Sequence, residues 1–358
     1  MRKTVIWMVI IFVLLMVGRV EQLIVDEVQL LFAVGFDVSE GKDKYEATIS
    51  APTYEPDQSL NRKIVSAKSN TSKGLRHKLG SELERPFAIG KLSMVLLSEE
   101  VAKKGVITLL DSFLREPSVG SRAHIAVVEG DIKELLQGEF SRSEDIGMYL
   151  SEIILQNMNI GYLPESNIHL FNYAYHEDGA DPYLPIFKAK EDTAQIMGLA
   201  LFQDDRYVDK LELNDVYLFS MLHEGVNQGN YEFSLDKDQF VTVQNNGSSI
   251  KYQLPKSGEK PTIKGELSMK ATVIEYSGEE VTGQQEKLIK KRLEETLKNN
   301  GEEMIRSFVD KGIDPLGFGA KAHNQFGGWA VDKWYEVYPD VEISLQVTVE
   351  ILSTGALG

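Results

Sequence analysis

The densest concentration of chemically capable side chains in this chain is His176-Glu177-Asp178 with Asp181. Three carboxylates and an imidazole within six positions can hold a divalent cation, mostly through oxygen. The run lacks the ordered spacing of a calcium loop, so no metal site is assigned to it. A second concentration is aromatic: Trp329, Trp334, Tyr335 and Tyr338. Such a group can line a ligand pocket or a partner surface. Packing where a loop meets the final strand is the plainer reading, and it is the one adopted. Gly317-Phe318-Gly319 suggests a dinucleotide turn, but it follows Asp314-Pro315 and not a strand. No third glycine arrives in register, so a structural turn is expected.

Other chemistries leave no trace. The six histidines, His77, His124, His169, His176, His223 and His323, include no pair four apart. There is no phosphate loop, nucleophile elbow or zinc-protease helix motif. There is no cysteine, which removes disulfides, thiolate metal sites and a cysteine nucleophile. With 54 acidic residues, chance carboxylate pairs are unavoidable, so none is selected for acid–base work. No catalytic, cofactor-binding or metal-ligating residue is assigned, and no cofactor is expected.

The scaffold is that of an ordinary globular chain. Hydrophobic residues make up 42% and charged residues 26%, enough to build cores without suggesting disorder. A net charge of −16 argues against nucleic acid and against docking to anionic lipid by charge alone. At roughly 100–200 residues per domain, the length predicts two domains or three. The expected division is 1–20 as an export signal or membrane anchor, then 21–194, which can split in two, and 195–358.

Arg2 and Lys3 precede an apolar run, Thr4 to Val17, which ends at Gly18-Arg19. A basic head and a short apolar stretch describe an export signal. As a helix the run would span about 21 Å, against about 30 Å of hydrocarbon.

Mixed α/β structure (α+β) follows, with mixed and antiparallel sheets flanked by helices. Val28 to Val38 and Tyr45 to Ser50 predict a hairpin. Leu75, Leu79 and Leu83 predict a helix, and Leu92 to Leu97 a strand. Ser98 followed by Glu99 and Glu100 predicts the start of one helix reaching Leu114. Ile125 to Val128 reads as a strand, with helices over Ile132 to Leu136 and Ile146 to Met158. Asn159 to Ala194 reads as loop-rich. A second hairpin, Ile196 to Phe202 and Tyr207 to Leu211, leads to a helix over Asn214 to His223. Short strands with Asn/Gly turns are expected near Tyr231, Val241, Ile250 and Met269. A long helix over Gln284 to Lys311, interrupted at Asn300-Gly301, precedes an alternating strand, Val341 to Ile351.

Four patches in this order resemble a known family. They are Leu31-Phe32-Ala33-Val34-Gly35-Phe36-Asp37; Ser98 to Gly105 running on to Phe113-Leu114-Arg115; Asp181 to Pro185 before Gly198 to Phe202; and Asp314 to Gly319 before Trp334 and Tyr338-Pro339. Their order and spacing resemble the C subunits of spore nutrient-germinant receptors, the GerAC or Ger(x)C family, over nearly the whole chain. The resemblance implies a non-enzymatic lipoprotein on the outer face of the inner spore membrane. It implies a complex with two integral membrane subunits, A and B, and a role in nutrient-triggered germination. A nutrient ligand is compatible with it but is not located. The family's lipid-bearing cysteine is expected where this chain has Arg19, so no lipidation site is assigned. An uncleaved apolar helix is then the favoured anchor over cleavage or a degenerate copy. Two other readings compete. One is an exported nutrient-binding protein acting alone through a pocket near Trp329 and Trp334. The other is an exported hydrolase with an unusual carboxylate site.

Overall fold

The computed structural model describes residues 28–54, 60–120, 123–140, 145–254, 262–278, 281–326 and 331–354. In chain order the first elements are β1 (Gln29–Leu30), β2 (Ala33–Val38), β3 (Tyr45–Tyr54), β4 (Leu60–Ser69), α1 (Ser72–Ser81), β5 (Phe87–Ala88), β6 (Met94–Ser98), α2 (Glu99–Lys104), α3 (Ile107–Leu114) and β7 (His124–Val128). Next come α4 (Ile132–Gln137), α5 (Ile146–Asn159), α6 (Ile168–His176), β8 (Tyr183–Lys190), β9 (Thr193–Gln203), β10 (Arg206–Glu212) and α7 (Leu213–His223). The chain closes with β11 (Asn230–Asp236), β12 (Gln239–Gln253), β13 (Thr262–Tyr276), α8 (Gly283–Lys311), α9 (Phe318–Phe326), α10 (Val331–Val337), a 3₁₀ turn (Tyr338–Asp340) and β14 (Glu342–Ser353).

Two main sheets result. The larger runs β10-β9-β8-β7-β6-β2-β3-β4. Its centre, β8-β7-β6-β2, is parallel, and antiparallel hairpins flank it on both sides. β6 and β7 are buried at every residue, as central parallel strands covered on both faces must be. Met94 and Leu96 face one core, and Val95 and Leu97 the other. The hairpin β9–β10 joins through β8, so this sheet runs continuously across residue 194.

The smaller sheet is β11-β12-β13-β14, antiparallel except for the parallel pair β13–β14. Helix α7 lies in the core shared by the two sheets, and every residue from Val216 to Leu222 is buried. A helix that is apolar all round belongs inside, and this one joins the two layers.

Helix α8 packs on the smaller sheet through Ile289, Leu293, Leu297, Ile305 and Phe308. It also reaches both open sheet edges. Arg292 Nε donates to Ser234 O of β11 at 3.4 Å. Leu345 N and Val349 N of β14 donate to Glu302 and Glu294 at 2.8 and 2.9 Å. Eight residues of helix and four of strand both span about 12–13 Å, so the two carboxylates match the strand repeat. Unpaired edge amides are thereby satisfied.

Several expected elements differ. The helix from Ser98 is two helices, broken at Gly105 (φ 105°). Asp205, from the β9–β10 turn, accepts from Val106 N at its carbonyl and from Ile107 N at its carboxylate, both at 3.1 Å. A Cβ on Gly105 would come within 2.8 Å of that carboxylate. The stretch Asn159 to Ala194 contains α6, capped by Asn167, and the eight-residue β8. The strands expected near Val241 and Ile250 are one strand, β12. Asn245 to Ser248 form a bulge there, in which Gly247 N donates to Asn245 Oδ1 at 2.9 Å. Helix α8 is continuous through Asn300-Gly301, and Gly301 admits Leu345 closely: a Cβ there would lie 2.7 Å from its Cδ2.

Candidate functional site

Asp181 and Asp314, each followed by proline, are 133 residues apart and meet where the two layers join. Asp181 N donates to Asp314 O at 3.0 Å, and Asp314 N returns to Asp181 Oδ2 at 2.7 Å. Asp181 Oδ1 accepts from Asp204 N at 3.0 Å, which ties in the β9–β10 turn. Asp314 Oδ1 and Oδ2 accept Phe318 N and Gly319 N at 2.9 and 2.8 Å, so this carboxylate holds the first turn of α9. Both acids are buried. Burial raises both carboxyls against their backbone donors, and Asp314 is pushed up to about 7.

Two glycines let the segments touch. Gly179 has φ 83°, and a Cβ there would sit 2.7 Å from the Gly319 backbone. Ala320 N donates to Gly179 O at 2.9 Å. Behind them Trp334 is buried with its ring tilted against that of Tyr338, centroids 5.4 Å apart, and the Tyr338 hydroxyl donates to Ile313 O at 2.9 Å.

Beside this junction lies a pocket of about 340 Å³. Helix α6 supplies Leu170, Phe171, Tyr173 and Ala174, and Glu177 follows it as its C-cap; the last residue of α7, His223, and its C-cap Glu224 form another wall; α9 supplies Ala320, Lys321 and Asn324. Lys321 donates to Leu316 O and lies over the rings of Tyr252 and Phe318, 5.6 and 5.9 Å from their centroids. Burial lowers its pKa, against the pull of Asp314 and Glu224. His223 sits against the rings of Tyr183 and Phe219, and burial, then Lys321, pushes it down to about 4, so it is neutral at pH 7. Burial raises Glu224 and the Glu165 charge adds to the effect, opposed by a hydrogen bond from the Glu165 amide and by the Lys321 charge.

The structure separates the residues singled out by type. Asp181 has both carboxylate oxygens on backbone amides, Glu177 faces the pocket, and His176 and Asp178 are exposed. Among the described residues, no group of three or more His, Asp or Glu side chains forms a metal cage. Trp329 lies outside the described residues, and Trp334 is core, so the pocket is formed by other residues than this aromatic group. Gly317-Phe318-Gly319 is the turn that opens α9. His124 is buried with Nδ1 3.0 Å from Ser166 O, while His77, His169 and His323 are exposed.

Open parallel sheets also offer a crevice at the carboxyl ends of their strands. Here Asp37, Ser98 and Asp131 occupy it. Ser98 caps α2 and Asp131 caps α4, while burial pushes Asp37 up to about 6, opposed by a hydrogen bond with Ser98. The pocket residues Glu165, His223, Glu224 and Lys321 were not anticipated from sequence. The one available signal was a lysine among the apolar positions Phe318, Ala320 and Ala322.

Residues 21–189 match the spore germination protein N-terminal domain model. Residues 197–355 match the spore germination B3/GerAC-like C-terminal model. The chain belongs to the GerAC family of spore germination proteins. It is 25% identical over 344 residues to the spore germination protein GerQC of Bacillus cereus, covering 95% of this chain and 96% of that one. It is 22% identical to the putative spore germination protein YfkR of Bacillus subtilis, over 82% and 79% of the two chains. The crystal structure of the GerBC protein shares the fold, with a TM-score of 0.58 at 14% identity, over 91% of this chain and 99% of that one. In this GerAC-family chain the patches quoted above fall on β2, on β6 with α2 and α3, and on the two Asp-Pro segments. The last two patches, distant in sequence, are one structure at the junction.

Proposed function

We propose that this chain is the C subunit of a nutrient-germinant receptor. It acts without catalysis, as an assembly partner of two integral membrane subunits, A and B, on the outer face of the inner spore membrane. The observation that carries this reading is the end-to-end correspondence with GerQC together with both family models. The use of Ser98 and Asp131 as helix caps supports the non-enzymatic part. Among the described residues, no helix is long and apolar enough to cross a membrane. Arg19 lies outside those residues and stands where the family's lipidated cysteine is expected. The proposed anchor is therefore the uncleaved apolar run, Thr4 to Val17. Edman sequencing of the membrane-bound protein should read from Met1, and an internal start rules this anchor out.

The functional test is genetic. Deleting this gene and, separately, its cognate A and B genes should abolish response to the same nutrients, and overexpressing the three together should accelerate it. A deletion whose nutrient profile never matches that of its partners contradicts the reading.

A further inference from the structure

We propose that the pocket beside the Asp-Pro junction is a binding site for a small organic cation, an alkylammonium with a short apolar body. Its volume of about 340 Å³ lies at the lower end of the range for ligand pockets, roughly 300–1,000 Å³. The charge count of its lining decides the ligand class. Lys321 is the one lysine in the lining: it donates to Leu316 O, lies over two rings, and its charge is shared between Asp314 and Glu224. Against that single lysine the lining sets three glutamates, Glu165, Glu177 and Glu224, which leaves an excess of negative charge. Among the described residues none of the three has a lysine or arginine within salt-bridge distance; their polar neighbours are Asn324 and the Tyr173 phenol for Glu177, and the Glu165 amide for Glu224. Burial and the like charge of Glu165 raise Glu224 against the Glu165 amide and the Lys321 charge, and the net direction is upward, so an incoming cation relieves a cost already present.

The rest of the lining suits the same ligand. His223 is neutral, so it adds no positive charge. Its Nδ1 lies 3.9 Å from Glu224 Oε2 and has no hydrogen-bond partner. An ammonium seated between the two, after a small rotation of the half-exposed Glu224, satisfies both with separate N–H donors. Phe171 and Leu170 offer an apolar wall, and Tyr173, 61% exposed, stands at the rim as a ring face for a cation. This inference does not depend on receptor membership.

The test is isothermal titration calorimetry on the full-length protein in detergent, using n-butylamine, with n-butanol and butyrate as neutral and anionic counterparts. Saturable binding of butylammonium on the order of millimolar or tighter is expected, with no saturable heat from the other two. Glu224→Gln with Glu165→Gln should weaken it at least about tenfold. Ala174→Trp, which fills the cavity, should abolish it while circular dichroism melting reports whether the fold is kept. The glutamine pair supplies the answer if the tryptophan variant does not fold. No saturable heat from butylamine, equal binding of butyrate, or affinity unchanged in the glutamine pair overturns the proposal.

Discussion

Two sets of carboxylates lie side by side in this molecule and do opposite things. At the junction, Asp181 and Asp314 use all four oxygens on backbone amides, one from the β9–β10 turn and three from the Asp314 to Gly319 segment. In the adjoining pocket, Glu165, Glu177 and Glu224 have no lysine or arginine within salt-bridge distance among the described residues, and a single more distant lysine, Lys321, acts on Glu224. Residue type does not separate these sets; hydrogen-bond accounting does. A buried acid whose acceptors are filled is part of the scaffold. An acid in a cavity wall without a compensating charge is available to a ligand.

Breaking the first set should cost most. Asp314→Ala orphans two buried amides at the start of α9, and at about 1–3 kcal/mol each the expected loss is about 3–5 kcal/mol by urea denaturation. A loss under about 1 kcal/mol removes the junction from the scaffold. Gly179→Ala should come next, at about 2–3 kcal/mol, because its φ is positive and its Cβ would press on the Gly319 backbone. The same substitution at Gly120, where a Cβ has open space, should change stability little.

Proton linkage sharpens the contrast further. Asp314 is raised from 3.8 to about 7, so the folded state holds a proton there that the unfolded chain releases. Its contribution is complete below about pH 4 and is lost as pH rises through 7. His223, lowered from 6.5 to about 4, works the other way: its contribution is complete above about 6.5 and is lost as pH falls through 4. Stability of Asp314→Asn, measured across pH 4–7, should therefore rise more steeply with pH than that of the parent. His223→Gln should rise less steeply. Parallel curves for all three proteins would show that neither group titrates differently on folding. The smallest effect belongs to the pocket acids. Glu224→Gln should change stability by no more than about 0.5 kcal/mol, in the stabilising direction at pH 7, because it removes like-charge repulsion.

Where pattern was local, the sequence was readable. The last strand alternates in the predicted register, α8 follows its apolar stripe, and Ser98 caps the helix that its hydroxyl and the two following acids predict. What failed depended on distant partners. Gly105 breaks a helix because Asp205, a hundred residues on, takes over the capping. Asn245-Asn246-Gly247 reads as a turn, yet Asn245 Nδ2 donates to the Tyr217 hydroxyl of α7 at 3.1 Å and the strand continues as a bulge. The twin Asp-Pro motifs were visible, but their meeting was not, since nothing local pairs Asp181 with Asp314. The pocket is less legible still: its walls come from five separated stretches of chain, and its character depends on which charges are already neutralised.

The claim that this GerAC-family chain works inside a receptor has one direct measurement. The epitope-tagged full-length protein is purified from detergent-solubilised spore membranes after crosslinking, and the co-purifying proteins are identified by mass spectrometry. Recovery of its cognate A and B subunits in stable proportion is the predicted result. Recovery of the chain alone, from membranes in which A and B are present, contradicts it.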